Sequence, residues 1–378
     1  MKSNYNQLGQ YIEMVSRTNS DLKYGIEDVR GCSNTKQMMQ TRANLIGRTY
    51  EKFIVLRPQE FVFNRRTTRN GEKIGMAYNN TDREYIFTND YVAFRVKQEY
   101  LDKLLPDYLY MFFCRDEFDR YARYKSTGSA TEFFNWEDMC AVPFEIPPMD
   151  FQQLVVNAYK VLNERIETKQ KINDNLEATA QAYFDSLFFD ESEPNCTLAD
   201  IALVNPVRPL AKGVEARYFE MATLPTNGCI PTGDFIKPYN GGVRFINGDT
   251  LIARITPCLE NGKAAYINIL EDNEVAFGST EYIVFASKGN MPSSFYYFLI
   301  RNAKFVTFAL QFMNGSSGRQ RVSGEELASF PLCRPSCENL EAFDKVASLV
   351  LEQMKDNTYE IQKLKQLQEV IAATISSC

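Results

Sequence analysis

The feature that most constrains this chain is an internal repeat. Residues 134–143 read FNWEDMCAVP, and residues 322–331 read VSGEELASFP, an offset of 188 positions. Both segments have an apolar first residue, a pair of acids, an apolar residue directly after the acids and a closing proline. A true duplication keeps its register into the next element, so the segment that follows each motif tests whether the match is chance.

A long amphipathic segment follows the motif in each half. Residues 149–193 contain no glycine or proline, and their apolar residues recur at steps of three and four, which is typical of a coiled-coil seam. Adding 188 to each position gives a second, matching series, to which Asn357, the counterpart of Lys169, is added. The predicted seam positions are Val155, Tyr159, Leu162, Ile166, Asn173, Leu176, Tyr183 and Leu187, then Phe343, Ala347, Val350, Met354, Asn357, Ile361, Leu364, Ile371 and Ile375.

The front halves match more loosely. LGQYI at Leu8 resembles LADIA at Leu198, and PDYLYMFFCR at Pro106 resembles PSSFYYFLIR at Pro292. Each half is therefore predicted to be one variable globular domain followed by one long helix. The predicted boundaries are 1–149 for the first domain, 150–189 for the first helix, 190–336 for a linker and the second domain, and 337–378 for the second helix.

The fold class predicted is α+β, with two globular α/β domains joined by two long helices and related by a pseudo-two-fold repeat. The second helix buries its apolar stripe most simply by running antiparallel along the first. Full overlap sets Asn173 opposite Asn357 and Tyr183 opposite Ala347, and a buried asparagine pair fixes register. The alternative is that each helix packs separately on its own domain.

The composition excludes several classes of enzyme. The chain has no histidine, which removes histidine-dependent triads and the commonest metal ligand. The acid-acid-lysine set Asp249, Glu260 and Lys263 has the wrong spacing for a nuclease, and no phosphate-binding glycine loop occurs. We therefore predict no catalytic residues and no metal site. The nine scattered cysteines are expected to be buried thiols.

The charge distribution leaves room for a nucleic-acid interface. The formal net charge is −6, but residues 150–191 hold eight acids against four bases, and residues 338–369 hold seven against four. The remainder of the chain is thus about neutral and has basic concentrations of its own. No segment has the roughly 18 apolar residues that a membrane span needs, and no apolar leader is present, so a cytoplasmic location and no membrane contact are expected.

Three kinds of segment are candidates for DNA contact. Residues 36–73 carry nine bases and three acids, and NRRTTRN at residues 64–70 offers the groups that bind phosphates and base edges. A hydroxyl-rich loop precedes the repeated motif in each half, and basic residues also occur near a predicted strand at 249–255. The alternative is ordinary solvated loop and strand surface. The candidates are Lys36, Arg42, Arg65, Arg66, Thr67, Arg69, Lys73, Lys125, Ser126, Arg244, Arg254, Lys263, Asn314, Ser316, Ser317, Arg319, Gln320 and Arg321.

The sequence resembles the specificity subunit of type I restriction-modification systems over its whole length. LGQYI and LADIA open the two domains, IPP at residues 146–148 leads into FQQLVVNAYKVLNERIETKQKIN, and NLEATAQAYFDSLF closes the first helix. The order of domain, helix, domain and helix is that of the family. Because base-reading residues in the family vary with the target, the resemblance assigns none of them here.

The resemblance implies a non-catalytic subunit that binds double-stranded DNA through two target-recognition domains. Its partners would be two adenine-methyltransferase subunits on the paired helices, and restriction subunits joined through them. The chain itself would carry no cofactor, and S-adenosylmethionine, ATP and magnesium would belong to the partners. A helix of 33 residues is about 48 Å long, a distance on the order of 14 base pairs, which suggests a bipartite, asymmetric target. A protein-interaction scaffold that binds methyltransferase subunits without contacting DNA is the alternative.

Overall fold

The computed structural model describes residues 6–41, 45, 47–67, 73–128, 132–189, 193–316 and 319–375. The chain divides into two compact units. Unit 1 comprises Met1–Glu164 and Leu364–Cys378, and unit 2 comprises Arg165–Lys363. Each unit therefore contains one globular domain and part of each long helix.

The helices show the duplication directly. In chain order they are α1 Pro106–Phe113, α2 Asp116–Lys125, α3 Trp136–Cys140, α4 Met149–Phe188, α5 Leu198–Ile201, α6 Ser294–Arg301, α7 Ala303–Gln311, α8 Gly324–Ala328 and α9 Cys337–Ile375. The starts of α1 and α6, of α3 and α8, and of α4 and α9 all differ by the offset of the sequence repeat. Short 3-10 turns occupy Leu8–Gln10, Ile26–Asp28 and Gln98–Tyr100.

The domain of unit 1 is built on an antiparallel sheet. Its strands are β1 Ile12–Val15, β2 Arg30–Cys32, β3 Met38–Gln40, β4 Ile54–Leu56, β5 Phe61–Asn64, β6 Met76–Tyr78, β7 Tyr85–Phe87 and β8 Tyr91–Val96. The main sheet has the order β1-β8-β5-β6, and β2-β3 and β4-β7 form two further antiparallel pairs. A single parallel bridge joins Val29 to Ile86.

The domain of unit 2 repeats this plan. Its strands are β9 Cys196–Thr197, β10 Ala202–Val204, β11 Glu215–Phe219, β12 Phe235–Pro238, β13 Val243–Phe245, β14 Thr250–Ala253, β15 Ala264–Tyr266, β16 Ala276–Gly278, β17 Tyr282–Ser287 and β18 Pro331–Leu332. The main sheet, β10-β17-β14-β15, has the topology of its counterpart, and β12-β11-β16-β13 forms a second sheet. The short pair β9-β18 joins the two ends of the domain.

The paired acids of the repeated motif are explained by helix capping. In the first copy, the backbone N–H of Asn135 donates to the Asp138 carboxylate at 3.0 Å. In the second copy, the N–H of Ser323 donates to Glu326 at 2.7 Å, and the Ser323 hydroxyl accepts from the N–H of Glu326. Each second acid therefore satisfies an otherwise unpaired donor at the start of a short helix. The motif is structural.

The two long helices pair antiparallel within each unit. In unit 2, Asn357 Nδ2 donates to Asn173 Oδ1 at 2.7 Å, the asparagine pair that the heptad spacing predicted. The ring of Tyr183 lies 6.0 Å from that of Phe343. In unit 1, Gln368 donates to Asn163 at 2.6 Å. Every predicted seam residue is buried or half-buried.

The helices also pack on the domains, so pairing and domain packing are not alternatives. Phe184 of α4 is fully buried and lies against Phe295 and Phe298 of α6 at ring distances of 5.1 and 6.2 Å. In unit 1, Val155 and Ile375 join the core of the first domain. The sequence argument treated both stripes as narrow seams and therefore missed the wider apolar face near the end of α4.

The asparagine pair gives a direct test of register. Asn173→Leu alone is expected to lower the free energy of unfolding by about 1–3 kcal/mol, because it leaves the buried Asn357 amide without its partner. Asn173→Leu with Asn357→Leu should recover most of that loss, since a buried asparagine in a seam lowers stability. Urea unfolding of Asn173→Leu, of Asn357→Leu and of the double variant measures the coupling free energy between the two asparagines. Independent, additive effects would show that the pair does not set the register.

Candidate nucleic-acid interface

The structure brings together two loops that the sequence analysis singled out separately in the first domain. The N–H of Phe134 donates to the Arg65 carbonyl at 2.9 Å, and the N–H and hydroxyl of Thr67 donate to the Glu132 carbonyl at 3.0 and 3.2 Å. The arginine-bearing loop therefore lies against the loop that precedes the repeated motif. We call residues 64–67 and 132–134 the arginine loop pair.

The two described arginines of this loop pair are exposed. The Arg65 guanidinium lies 5.7 Å from the Phe133 ring centre. Arg66 Nη2 lies 3.7 Å from an Asp90 carboxylate oxygen, and both side chains are well exposed, so this surface ion pair contributes little to stability. Thr67 is buried and holds the loop rather than facing outwards. Arg42 and Arg69 lie outside the described residues.

Three other first-domain candidates have side chains near the two ends of α2. Lys73 Nζ is 3.5 Å from the Asp116 carboxylate, again in an exposed pair. Lys125 ends the helix with its ammonium 5.8 Å from the Tyr121 ring centre. The Ser126 hydroxyl donates to the Ala122 carbonyl at 2.7 Å, so it finishes the helix. Of this group, the two lysines keep accessible charge.

Lys36 corrects the prediction of a phosphate contact. Its side chain is buried, forms an ion pair with Asp119 and donates to the Ile74 carbonyl at 3.0 Å. Burial lowers the pKa of Lys36, although the neighbouring Asp119 opposes that change. An ammonium enclosed in this way cannot reach a DNA phosphate. The residue stabilises the interior of the first domain. The alternative prediction, that it lies on a solvated surface loop, was therefore wrong as well.

In the second domain, the loop before α8 closes as a small hairpin. Asn314 and Arg321 pair through both backbone hydrogen bonds. The Arg321 guanidinium binds the Glu281 carboxylate at 2.7 to 3.0 Å, and this hydrogen bonding lowers the pKa of Glu281. Gln320 exchanges hydrogen bonds with Thr256. The Arg321 side chain and the Gln320 backbone thus anchor the hairpin. The ion pair with Glu281 corrects the assignment of Arg321 as a base-contacting residue, whereas the assignment of the Gln320 side chain stays a prediction.

The exposed groups of this hairpin are Asn314, Ser316 and Arg319. Asn314 donates to the Phe312 carbonyl at 2.9 Å, while Ser317 lies outside the described residues. The hairpin therefore presents Arg319 and two small polar side chains, together with the ion-paired and partly exposed Arg321. This surface is smaller than the sequence predicted.

The three strand candidates of the second domain differ in their surroundings. Lys263 Nζ donates to the Met221 carbonyl at 2.6 Å and is half-buried. The Arg254 Nε atom is buried without a hydrogen-bond partner. Arg244, on β13, has its guanidinium 5.6 Å from the Tyr239 ring centre. Lys263 is used internally, whereas Arg244 belongs to a wider cation-aromatic surface.

That surface was missed by the sequence analysis. Lys237 Nζ lies 3.6 Å from the Tyr218 ring centre and near Phe235, on strand β12 beside β11. The available signal was the alternation of aromatic and basic residues in FIKPY at residues 235–239. Aromatic residues on a strand show the same pattern when they point into a core, so this alternation did not stand out.

Metal sites and disulfides both require particular arrangements of acidic or cysteine side chains. The described parts of the chain contain no cluster of three or more acidic or cysteine side chains arranged to hold a metal ion. Eight cysteines are free thiols. Cys229 is buried, six are half-buried and Cys337 is exposed, so the prediction that all are buried was wrong. None of the helices in these ranges is both long and apolar enough to cross a membrane.

The fold and loop sites define an internally duplicated α+β protein with two similar domains and two long paired helices. Residues 33–178 match the family model described as the type I restriction modification DNA specificity domain. The resemblance found in the sequence is thereby confirmed. The match covers the arginine loop pair and most of α4.

Curated relatives agree with this match. The chain is 26% identical over 190 residues to the Type I restriction enzyme EcoEI specificity subunit of Escherichia coli, and 29% identical over 190 residues to the EcoAI specificity subunit of the same organism. Each alignment covers 48% of this chain and 32% of the relative. The chain thus spans about a third of the length of the curated relatives it matches.

A solved structure supports the fold over the whole chain. The S subunit of a type I restriction-modification system from M. genitalium aligns with a TM-score of 0.56, covering 99% of this chain and 97% of that one at 13% identity. At this identity the likeness concerns the fold alone. It confirms the prediction of α+β domains with long helices.

Proposed function

We propose that this chain is the DNA sequence-recognition subunit of a type I restriction-modification complex and catalyses no reaction itself. The observation that carries the proposal is the specificity-domain match at residues 33–178, combined with the repetition of the same sheet order in unit 2. One chain then supplies two recognition domains. Because the loop sequences of the two domains differ, the two half-sites should differ as well, so the target is bipartite and asymmetric.

In the first domain, recognition would use the arginine loop pair. Arg65 and Arg66 are exposed and held by backbone hydrogen bonds on a well-packed domain. Guanidinium groups bind guanine edges with two hydrogen bonds and also bind phosphates. With a formal net charge of −6, the chain should bind DNA modestly by itself and with strong dependence on salt.

The proposed partners follow from the same specificity-domain match. Two adenine-methyltransferase subunits would dock on the paired helices, with restriction subunits joined through them, in the cytoplasm. S-adenosylmethionine, ATP and magnesium would be bound by those partners. Exposed apolar side chains on the helices support docking. They are Leu154 and Val161 of α4 and Val346 and Leu349 of α9. Val161 and Leu349 occupy equivalent positions in the repeat.

Complementation of a gene deletion tests the proposal. Methylated adenines in genomic DNA would be mapped in a strain lacking this gene, then after return of the native gene or of an Arg65→Ala, Arg66→Ala and Arg69→Ala variant. The deletion should abolish methylation at one split, asymmetric motif, and the native gene should restore it. The variant should restore little, because it removes charged contacts that each contribute about 1–3 kcal/mol to recognition.

The outcomes separate the proposal from a scaffold that binds methyltransferase subunits without contacting DNA. Co-purification of the partner with the triple variant should be unchanged, since Arg65 and Arg66 are exposed at the surface of the first domain. If the deletion removes no motif although the methyltransferase is present and active, the recognition role is excluded and the scaffold is favoured. Full methylation by the triple variant would exclude the arginine loop pair as a recognition site, but it would not contradict the recognition role of the chain.

A further inference from the structure

We propose that one face of the second sheet of unit 2 binds the backbone of duplex DNA. The face is formed by Tyr218, Phe235, Lys237 and Arg244, with Tyr239 at its edge, and we call it the cation-aromatic face. The proposal rests on the proposed function and names the surface through which the second domain would contact DNA.

Strand register places these residues on one side of the sheet. Tyr218 pairs with Phe235 on β12 and with Phe277 on β16, and Arg244 of β13 also pairs with Phe277. Directly paired residues in neighbouring strands share a face. The opposite face carries Phe219 and Phe245, which are fully buried in a separate core cluster. One side of the sheet therefore packs inwards, and the other carries aromatic rings and cations.

The cations on this face have aromatic rather than acidic neighbours. Lys237 Nζ is 3.6 Å from the Tyr218 ring centre, and the Arg244 guanidinium is 5.6 Å from that of Tyr239. No ion pair with a carboxylate is formed by either cation among the residues that the structure describes. Arg217, which points to the other face, binds Asp234 at 2.7 Å. The uncompensated charge is thus confined to one side.

The first domain has the same strands but a different surface on this side. Its parallel bridge Val29–Ile86 corresponds to Tyr218–Phe277, and the pairing of Val55 with Ile86 corresponds to that of Arg244 with Phe277. In the first domain these residues are apolar and are buried with Leu45 and Phe53. A face that the fold alone required would have kept this apolar character. The second domain instead leaves Phe235 47% exposed and carries cations.

The chemistry fits the phosphate and sugar groups of DNA. Lysine, arginine and tyrosine side chains are common phosphate contacts, and lysine on an aromatic ring is partly ordered before binding, which reduces the entropy lost on association. The earlier candidates Lys263 and Arg321 are held by internal contacts, so they do not supply this function. The cation-aromatic face provides half-exposed cations in the same domain that lie close to aromatic rings.

Salt-dependent binding tests the face. Fluorescence anisotropy would follow the full chain binding a mixed-sequence duplex of about 30 base pairs between about 25 and 200 mM NaCl. Lys237→Gln with Arg244→Gln keeps the aliphatic stems that cover the rings. This variant should reduce the slope of log K against log salt by about 1.8, since each phosphate contact contributes about 0.9. Lys345→Gln with Lys363→Gln removes two exposed helix charges and should leave the slope unchanged.

Each outcome has a distinct meaning. If native protein binds with a clear salt slope and the Lys237/Arg244 variant matches it, the cation-aromatic face is excluded while DNA binding stands. If native protein shows no salt-dependent binding, DNA recognition itself is contradicted, and the face with it. Tighter binding to a single strand of the same sequence than to the duplex would overturn the assignment to duplex DNA. Thermal unfolding of both variants confirms that they are folded.

Discussion

Replacing Asp119 with alanine should lower the free energy of unfolding of unit 1 by about 3–5 kcal/mol, because it leaves a buried ammonium without its counter-ion. Lys36 is 3% exposed, and Asp119 is its ion-pair partner. Asp119 also accepts a hydrogen bond from the Ile74 N–H at 3.0 Å. One substitution thus removes two interactions of the buried site.

A second variant separates the charge from the hydrogen bond. Lys36→Met with Asp119→Asn removes both charges but keeps an oxygen for the Ile74 N–H, and it should recover most of the stability. Trp136 is the only tryptophan in the chain and lies in unit 1, so its fluorescence in urea follows this unit. A loss below about 1 kcal/mol for Asp119→Ala would show that water reaches Lys36 and that the pair is not truly buried.

Replacing Phe343 with alanine should cost about 3–5 kcal/mol, the range for removing a fully buried aromatic ring. Phe343 is fully buried on α9. Its ring lies 5.1 Å from Phe184, 5.7 Å from Phe188 and 5.3 Å from Phe298. The residue therefore joins the helix pair to the second domain, and its loss should loosen both.

The matched control is on the same helix. Leu349→Ala removes a side chain that is 74% exposed, so it should change the stability of the isolated chain by no more than about 0.5 kcal/mol. Hydrogen exchange of the two variants would locate the effect, with faster exchange expected in α6 and α9 for Phe343→Ala only. Similar effects for both variants would mean that the α9 interface does not support the domain.

Periodicity within the chain was enough to predict the long helices and their pairing. Steps of three and four over many turns have one simple burial solution, and Asn173 with Asn357 is the contact that antiparallel overlap requires. The width of the buried face was not predictable in the same way. Phe184 lies beside the seam in sequence but packs on α6, a contact that depends on a segment more than a hundred residues away.

The candidate site was predictable in part. The arginine loop was found because arginine, hydroxyl and amide groups alternate there, yet its packing against residues 132–134 is visible only in the fold. The cation-aromatic face was missed because aromatic residues on a strand give the same sequence pattern whether they point into a core or out of it. Strand order and register decide between the two.

By itself, the sequence determined the duplication, the two long helices and the resemblance to a specificity subunit, since each rests on spacing and local pattern along the chain. The tertiary structure alone decided which cations are available. Lys36 meets a carboxylate 83 positions away and Arg321 one 40 positions away, while Lys237 and Arg244 lie over aromatic rings. The physical reason is that the accessibility of a charge depends on burial and on partners brought close by folding, which residue type and spacing along the chain do not specify.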